Sequence, residues 1–176
     1  SLALKALLRL GNKRTLLARA RETRIWKAHG NLCFMTGIAF AANGLDEDGL
    51  DKLSEAINAD AAVVLLAGAD ERLVVTQLAE RFPENYELAL ASALFLEYDD
   101  DMESALTALT ELAERFAHKA GVYFHLGRVA WILNRHETAE AALRRAVALH
   151  PSDNDAQTAL CGFLLEQSRA EDLLQS

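Results

Sequence analysis

In these 176 residues the side chains able to do chemistry are few and scattered. Five histidines (His29, His118, His125, His136 and His150), two cysteines (Cys33 and Cys161) and a tandem of carboxylates, Asp99-Asp100-Asp101, are the candidates for proton transfer, nucleophilic attack or metal ligation. None stands at a spacing those reactions need. Cys33 and Cys161 lie far apart with no CxxC pair, so a zinc site or disulfide framework is not expected and both read as small buried packing residues. Three aspartates in a row lack the alternate positions, the Gly and the distal Glu of a calcium loop. His118 and His125 could share a helix face by spacing, but a break between helices is expected between them, so they read as solvated or edge histidines. The chain has no GxGxxG, no GxxxxGK(S/T), no HExxH and no GxSxG. Carboxylates gather at turns, and no general acid–base pair stands out. The expectation is therefore no enzyme, no cofactor and no metal.

The elements that must position these residues read as helices throughout. Hydrophobic residues make up 51% of the chain, only two prolines interrupt it, and alternating β-branched runs are scarce. The longest apolar runs, 61–69 and 32–42, fall well short of the ~20 residues of a membrane-spanning helix. No signal peptide is visible. A cytoplasmic location is the expectation, with membrane association if an upstream anchor was removed before Ser1.

Charge divides the chain. Residues 1–28 carry eight Lys or Arg against Glu22 alone, a balance of +7, so the remainder carries −15 within a total of −8. Two domains are expected: a basic amphipathic N-terminal helical segment, 1–28, and a helical repeat domain, 29–176. The basic segment is open to three readings. It caps the repeats with its apolar face, contacts a membrane surface through Lys and Arg around an apolar stripe, or touches nucleic acid. The last is disfavoured by an acidic body and by Trp26 as the lone aromatic in the segment.

The clearest pattern spans residues 120–153. Tyr123, Leu126, Gly127 and Ala130 mark one helix face, Asn134-Arg135-His136 a polar break, and Ala139, Leu143 and Ala146 the face of a second helix that Pro151 closes. Gly127 and Ala139 are small enough for two antiparallel helices to approach closely. This stretch resembles a tetratricopeptide repeat, a helix–turn–helix of ~34 residues with a Leu-Gly pair, two later Ala positions and a Pro. It departs in having Tyr123 for Trp, Ala130 for Tyr and Leu143 for Phe. Residues 86–119 hold the same register, with Ala93, Ala105 and Leu109 standing for Gly127, Ala139 and Leu143. A divergent unit covers 30–60, with Gly37 in the small position and Gly49, Leu53 and Ala56 on the second helix. The stretch 61–84 fits only a shortened unit, with a helix over 71–82. Beyond Pro151, a helix over 153–167 and a short final helix over 169–174, separated by a tight turn, are expected to end the stack.

The resemblance implies an all-α, right-handed α–α superhelix, a solenoid of helical hairpins whose first helices line a concave groove. The positions that point into such a groove are Phe124, Arg128 and Trp131, then Leu90, Leu94 and Glu97 or Tyr98, then Phe34, Ile38 and Ala41. The family's capture of peptide C-terminal carboxylates uses a basic cluster that these residues replace, so that activity is not expected. An apolar groove with one Arg suits an amphipathic helix or an extended apolar peptide. The expected work is that of an adaptor, assembly factor or chaperone for a protein or peptide partner. Covering by the N-terminal helices, or by a second copy in a homo-oligomer, would bury the same side chains.

Overall fold

The computed structural model describes residues 37–38, 40–41, 44, 46–59 and 69–175, with backbone alone at 46, 48, 58–59, 69–71 and 169–175. The basic segment, Phe34 and Cys33 lie outside the described residues. Seven helices, α1 (Asp46–Ala59), α2 (Ala69–Arg81), α3 (Tyr86–Tyr98), α4 (Met102–Arg115), α5 (Ala120–Ile132), α6 (His136–Leu149) and α7 (Asn154–Gln175), and no strand are found among them. The fold is an all-α helical repeat. It divides into two compact units, one ending at Phe95 and the other beginning at Leu96.

In the first unit, helical residues at 37–38 and 40–41 close on α1. A β-carbon on Gly37 would stand 2.7 Å from Leu53 Cγ and 2.9 Å from the Gly49 carbonyl oxygen, so only a bare backbone fits. Leu53, Ala56 and Ile57 follow on the buried side of α1. Asn85 then does two jobs. Its Oδ1 accepts from the Leu88 N–H at 3.0 Å, capping α3, and its Nδ2 donates to Ser54 Oγ at 3.0 Å, tying that cap to α1. Helix α2 buries Val75 and Leu78 but leaves Leu73 58% exposed. Its end, Arg81, precedes the ends of α4 and α6 at Arg115 and Leu149 by one and two repeat periods. The shortened unit expected over 61–84 therefore keeps the second-helix register. The first-helix positions of a full unit would overlap α1.

The repeat is close from α3 onward. Helices α3 and α5 have 13 residues each, and α4 and α6 have 14 each. Each pair starts one repeat period apart, at Tyr86 and Ala120 and at Met102 and His136. Helix α4 buries Ala105, Leu109, Leu112 and Ala113, and α6 buries Ala139, Ala142, Leu143 and Ala146, so each shows one apolar stripe of small and branched residues. Helix α5 buries residues on two sides, among them Val122, Leu126 and Val129, because it packs on both α4 and α6. Leu143 fills the space above Gly127, and Phe163 of α7 completes a core cluster with Ala130, Ala139 and Leu143.

Turn chemistry carries the same period. Asp100 and Asn134 adopt left-handed backbone, φ 63° and 57°. The Asn134 N–H donates to the Trp131 carbonyl at 2.9 Å and the Arg135 N–H to Ala130 at 2.8 Å. Asp100 and Asp101 repeat this with Glu97 at 3.2 Å and Leu96 at 3.0 Å. Both are Schellman ends, which satisfy the last carbonyls of α3 and α5. Gly44, φ 73°, holds the corresponding place after Gly37 in the first unit.

Two expectations fail here. The end piece is not two helices, because α7 runs unbroken for 22 residues. The stretch Glu166-Gln167-Ser168-Arg169 holds neither Gly nor Pro, and Ser168 is tolerated within a helix. Cys161 is not buried but exposed. It stands one repeat period after Gly127, in the small position that a second helix covers in the preceding hairpin, and no such helix follows α7 among the described residues.

Candidate functional site

The sequence-based site residues separate into two sets once their surroundings are seen. Ile38, Leu90 and Leu94 are buried in the first unit, at 2%, 3% and 4% exposure, rather than presented at a groove surface. Their aliphatic side chains stand at inward positions, and apolar burial outweighs the offset that would have pointed them outward. Phe124, Arg128, Trp131 and Tyr98 belong to the second unit, and there α5 sets the first three along one side at i, i+4 and i+7.

Two contacts tie this side of α5 to its neighbours. At one end, Arg128 Nη2 lies 3.2 Å from Glu97 Oε1, and the guanidinium rests 5.7 Å from the centre of the Phe124 ring. At the other end, Trp131 Nε1 donates to Glu166 Oε2 of α7 at 3.0 Å. The indole meets the Phe163 ring edge-on, centroids 5.6 Å apart, and passes over Gly162, where a β-carbon would approach it to 3.3 Å. Trp131 is thus half-buried and fastened to α7. Beside these contacts Tyr98 and Ile132 are 55% and 53% exposed. They occupy the same repeat position, the last residue of a first helix, in consecutive hairpins. Leu165 of α7 is exposed as well.

Charge is concentrated at the Glu97 end. His125 Nδ1 stands 3.6 Å from Glu97 Oε2, longer than a hydrogen bond, and both atoms are buried without a hydrogen-bond partner among the described residues. The His125 ring also packs edge-to-face with Phe124, centroids 5.1 Å apart. Burial pushes the Glu97 carboxyl up, but His125 beside it and the Arg128 guanidinium outweigh burial and hold it below its ordinary value. Glu97 is accordingly a carboxylate held between two basic side chains. Ile132 and Glu166 were not singled out from the sequence as site residues, and His125, read there as a solvated or edge histidine, is instead largely buried. Ile132 carries a signal there, since it follows Tyr98 at the repeat period, whereas the pairing of Glu97 with His125 depends on which turn of α3 faces α5.

Among the described residues no group of three or more His, Cys, Asp and Glu is placed to hold a metal ion. No helix among them is long and apolar enough to cross a membrane. No family model matches the chain, and no curated protein matches it either. Among solved structures, "MamA AMB-1 P212121", a TPR-like protein, is similar at 19% identity and a TM-score of 0.52, over 79% of this chain and 82% of that one. The likeness supports the tetratricopeptide-like, all-α repeat fold.

Proposed function

We propose that this chain is a non-catalytic protein-interaction module, an adaptor, assembly factor or chaperone. It holds an amphipathic helix or extended apolar peptide against the first-helix face of the second unit. The observation that carries this reading is the pair Tyr98 and Ile132, two large apolar side chains more than half exposed at equivalent positions of consecutive hairpins. Single exposed apolar side chains are common on protein surfaces, so it is their recurrence at the repeat period that supports the reading. Between them, Phe124 and Trp131 offer ring surface and Arg128 a fixed cation, a combination typical of residues that dominate interface energy. Capture from the native host's lysate with wild type and with the triple variant Tyr98→Ala, Arg128→Ala, Ile132→Ala tests it. A partner lost only from the variant, with helicity unchanged, supports the reading. Identical partner sets overturn it.

A second reading rests on the +7 balance of residues 1–28. There the basic segment, rather than the repeat face, does the work, at a membrane surface or, less favoured, on nucleic acid. Deleting residues 1–28 separates the two. Partner capture survives the deletion in the first reading, while salt-sensitive liposome or nucleic-acid binding is lost in the second.

A further inference from the structure

The two apolar side chains that recur at the ends of α3 and α5 stand in an acidic frame. Asp99, Asp100 and Asp101 follow Tyr98 directly, Glu103 opens α4 and Glu137 opens α6, and all five are exposed. The turns that hold them are neighbours, since Arg135 Nη2, three residues past Ile132, lies 3.6 Å from Glu103 Oε1. Neither turn contains a lysine. The two guanidinium groups nearby are matched within the fold, Arg135 by Glu103 and Arg128 by Glu97 at 3.2 Å. The ring of His136 meets the Gln167 amide of α7 at 3.0 Å. Glu166, one repeat period beyond Ile132, ends the apolar row with a further carboxylate.

Part of this charge serves the helices themselves. Asp101 Oδ1 accepts from the Ser104 N–H at 3.3 Å, and Glu103 and Glu137 lie in first turns, where a negative charge suits the helix dipole. Asp100 has no such role. It takes the left-handed turn position, φ 63°, that the neutral Asn134 fills at φ 57° in the next hairpin. Its charge is not required by the turn, and it adds to a frame of one sign around Tyr98 and Ile132.

We infer that this face takes a basic amphipathic helix, one whose apolar stripe covers Tyr98 and Ile132 while flanking Lys or Arg side chains meet the carboxylates of the two turns. The inference rests on the reading of Tyr98 and Ile132 as a docking pair and adds the sign of the partner. An acidic helix would set like charges against the frame, and an uncharged one would draw nothing from it. Because the carboxylates are exposed at the rim, they act on encounter and on partner choice, and salt weakens them.

The test uses the full chain and two synthetic helices with one apolar stripe, leucines at i, i+3, i+4 and i+7. One carries lysine at the flanking positions and the other glutamate. Fluorescence anisotropy is expected to show the lysine helix bound, less tightly as salt rises, and the glutamate helix about tenfold weaker or unbound. Tyr98→Ala with Ile132→Ala should abolish this binding, and Asp100→Asn with Glu137→Gln should weaken it about threefold. Asparagine at 100 is the residue that the equivalent turn already uses, so the second pair leaves the fold in place. Equal binding of both helices, lost with Tyr98→Ala and Ile132→Ala, would overturn the inference and leave the docking pair standing. Binding of neither helix would overturn both. Lysine-helix binding that neither pair of substitutions changes belongs to some other acidic surface and overturns the inference too. So would self-association of the chain that Tyr98→Ala with Ile132→Ala abolishes and the lysine helix does not displace, since the face would then belong to a second copy.

Discussion

Leu143 occupies the place that a side chain on Gly127 would need: a β-carbon there would lie 2.6 Å from Leu143 Cγ and 3.2 Å from its backbone nitrogen. Gly37 and Leu53, at the same separation in sequence, meet in the same way. Each of these hairpins is closed by one bare backbone position and one leucine.

Gly127→Ala is therefore expected to destabilise the chain by about 1–3 kcal/mol, the range for forcing extra volume into a packed core. Urea unfolding measures it. The loss should be smaller in a Leu143→Ala background, where the space is vacated, and the non-additivity of the double-mutant cycle is the more telling number. Equal losses in both backgrounds would separate the two residues.

The left-handed turn residues give the opposite sign. At Asn134, φ 57°, Asn134→Gly should be neutral or slightly stabilising, while Asn134→Ala should cost about 1 kcal/mol. Asp100→Gly, at φ 63°, should likewise be tolerated. Thermal melting of the three variants orders them. A stable alanine variant at 134 would contradict the turn geometry.

Trp131→Ala removes the indole that spans α5 and α7. From the sequence it is expected to abolish partner capture and leave the helices intact. Its contacts with Phe163 and Glu166 predict more: release of α7 and a loss of about 1–3 kcal/mol, below the full cost of burying a Trp because the ring is half-exposed. Amide exchange confined to α7 checks it. Trp131→Phe should restore the packing but not the hydrogen bond.

The depressed carboxyl of Glu97 fixes a pH dependence. A group whose folded pKa lies below its unfolded value contributes stability above that value and loses it as pH falls through the folded pKa. The stability difference between wild type and Glu97→Gln should thus be present at neutral pH and shrink as pH falls below the ordinary value of 4.5. Urea midpoints of the two proteins across acid pH decide it, and parallel curves would exclude the linkage.

Cys161, exposed on α7, should react with a disulfide reagent in the native protein without prior unfolding. The measurement is made in a Cys33→Ser background, so that one thiol is counted. Protection until the protein unfolds would mean that a further segment covers this face.

How much of this was legible in the residues differs from place to place, for physical reasons. The register of residues 86–153 was readable because Gly127, Ala139 and Leu143 must match in size across a close helix pair, and size is written in residue type. The turns were readable as the polar stretches Asn134-Arg135-His136 and Asp99-Asp100-Asp101, but which residue in each takes the left-handed backbone was not. The burial of Leu90 and Leu94 was not, since an offset of one position on a helix separates groove from core. Nor was the continuity of α7 readable, because Ser168 ends a helix or continues it according to what packs beside it. The Glu97–His125 contact needed the relative rotation of two helices, which periodicity does not supply.

The Schellman ends at Asp100 and Asn134 close each hairpin by hydrogen bonds made within its own loop. Between hairpins the Lys119 N–H donates to the Phe116 carbonyl and the Asp153 N–H to His150, again locally and again at equivalent repeat positions. None of these four turns borrows a backbone partner from the next hairpin. In-frame excision or duplication of the coding segment for one hairpin would accordingly leave no dangling turn, and what such a change in length must restore is the side-chain packing between neighbouring hairpins.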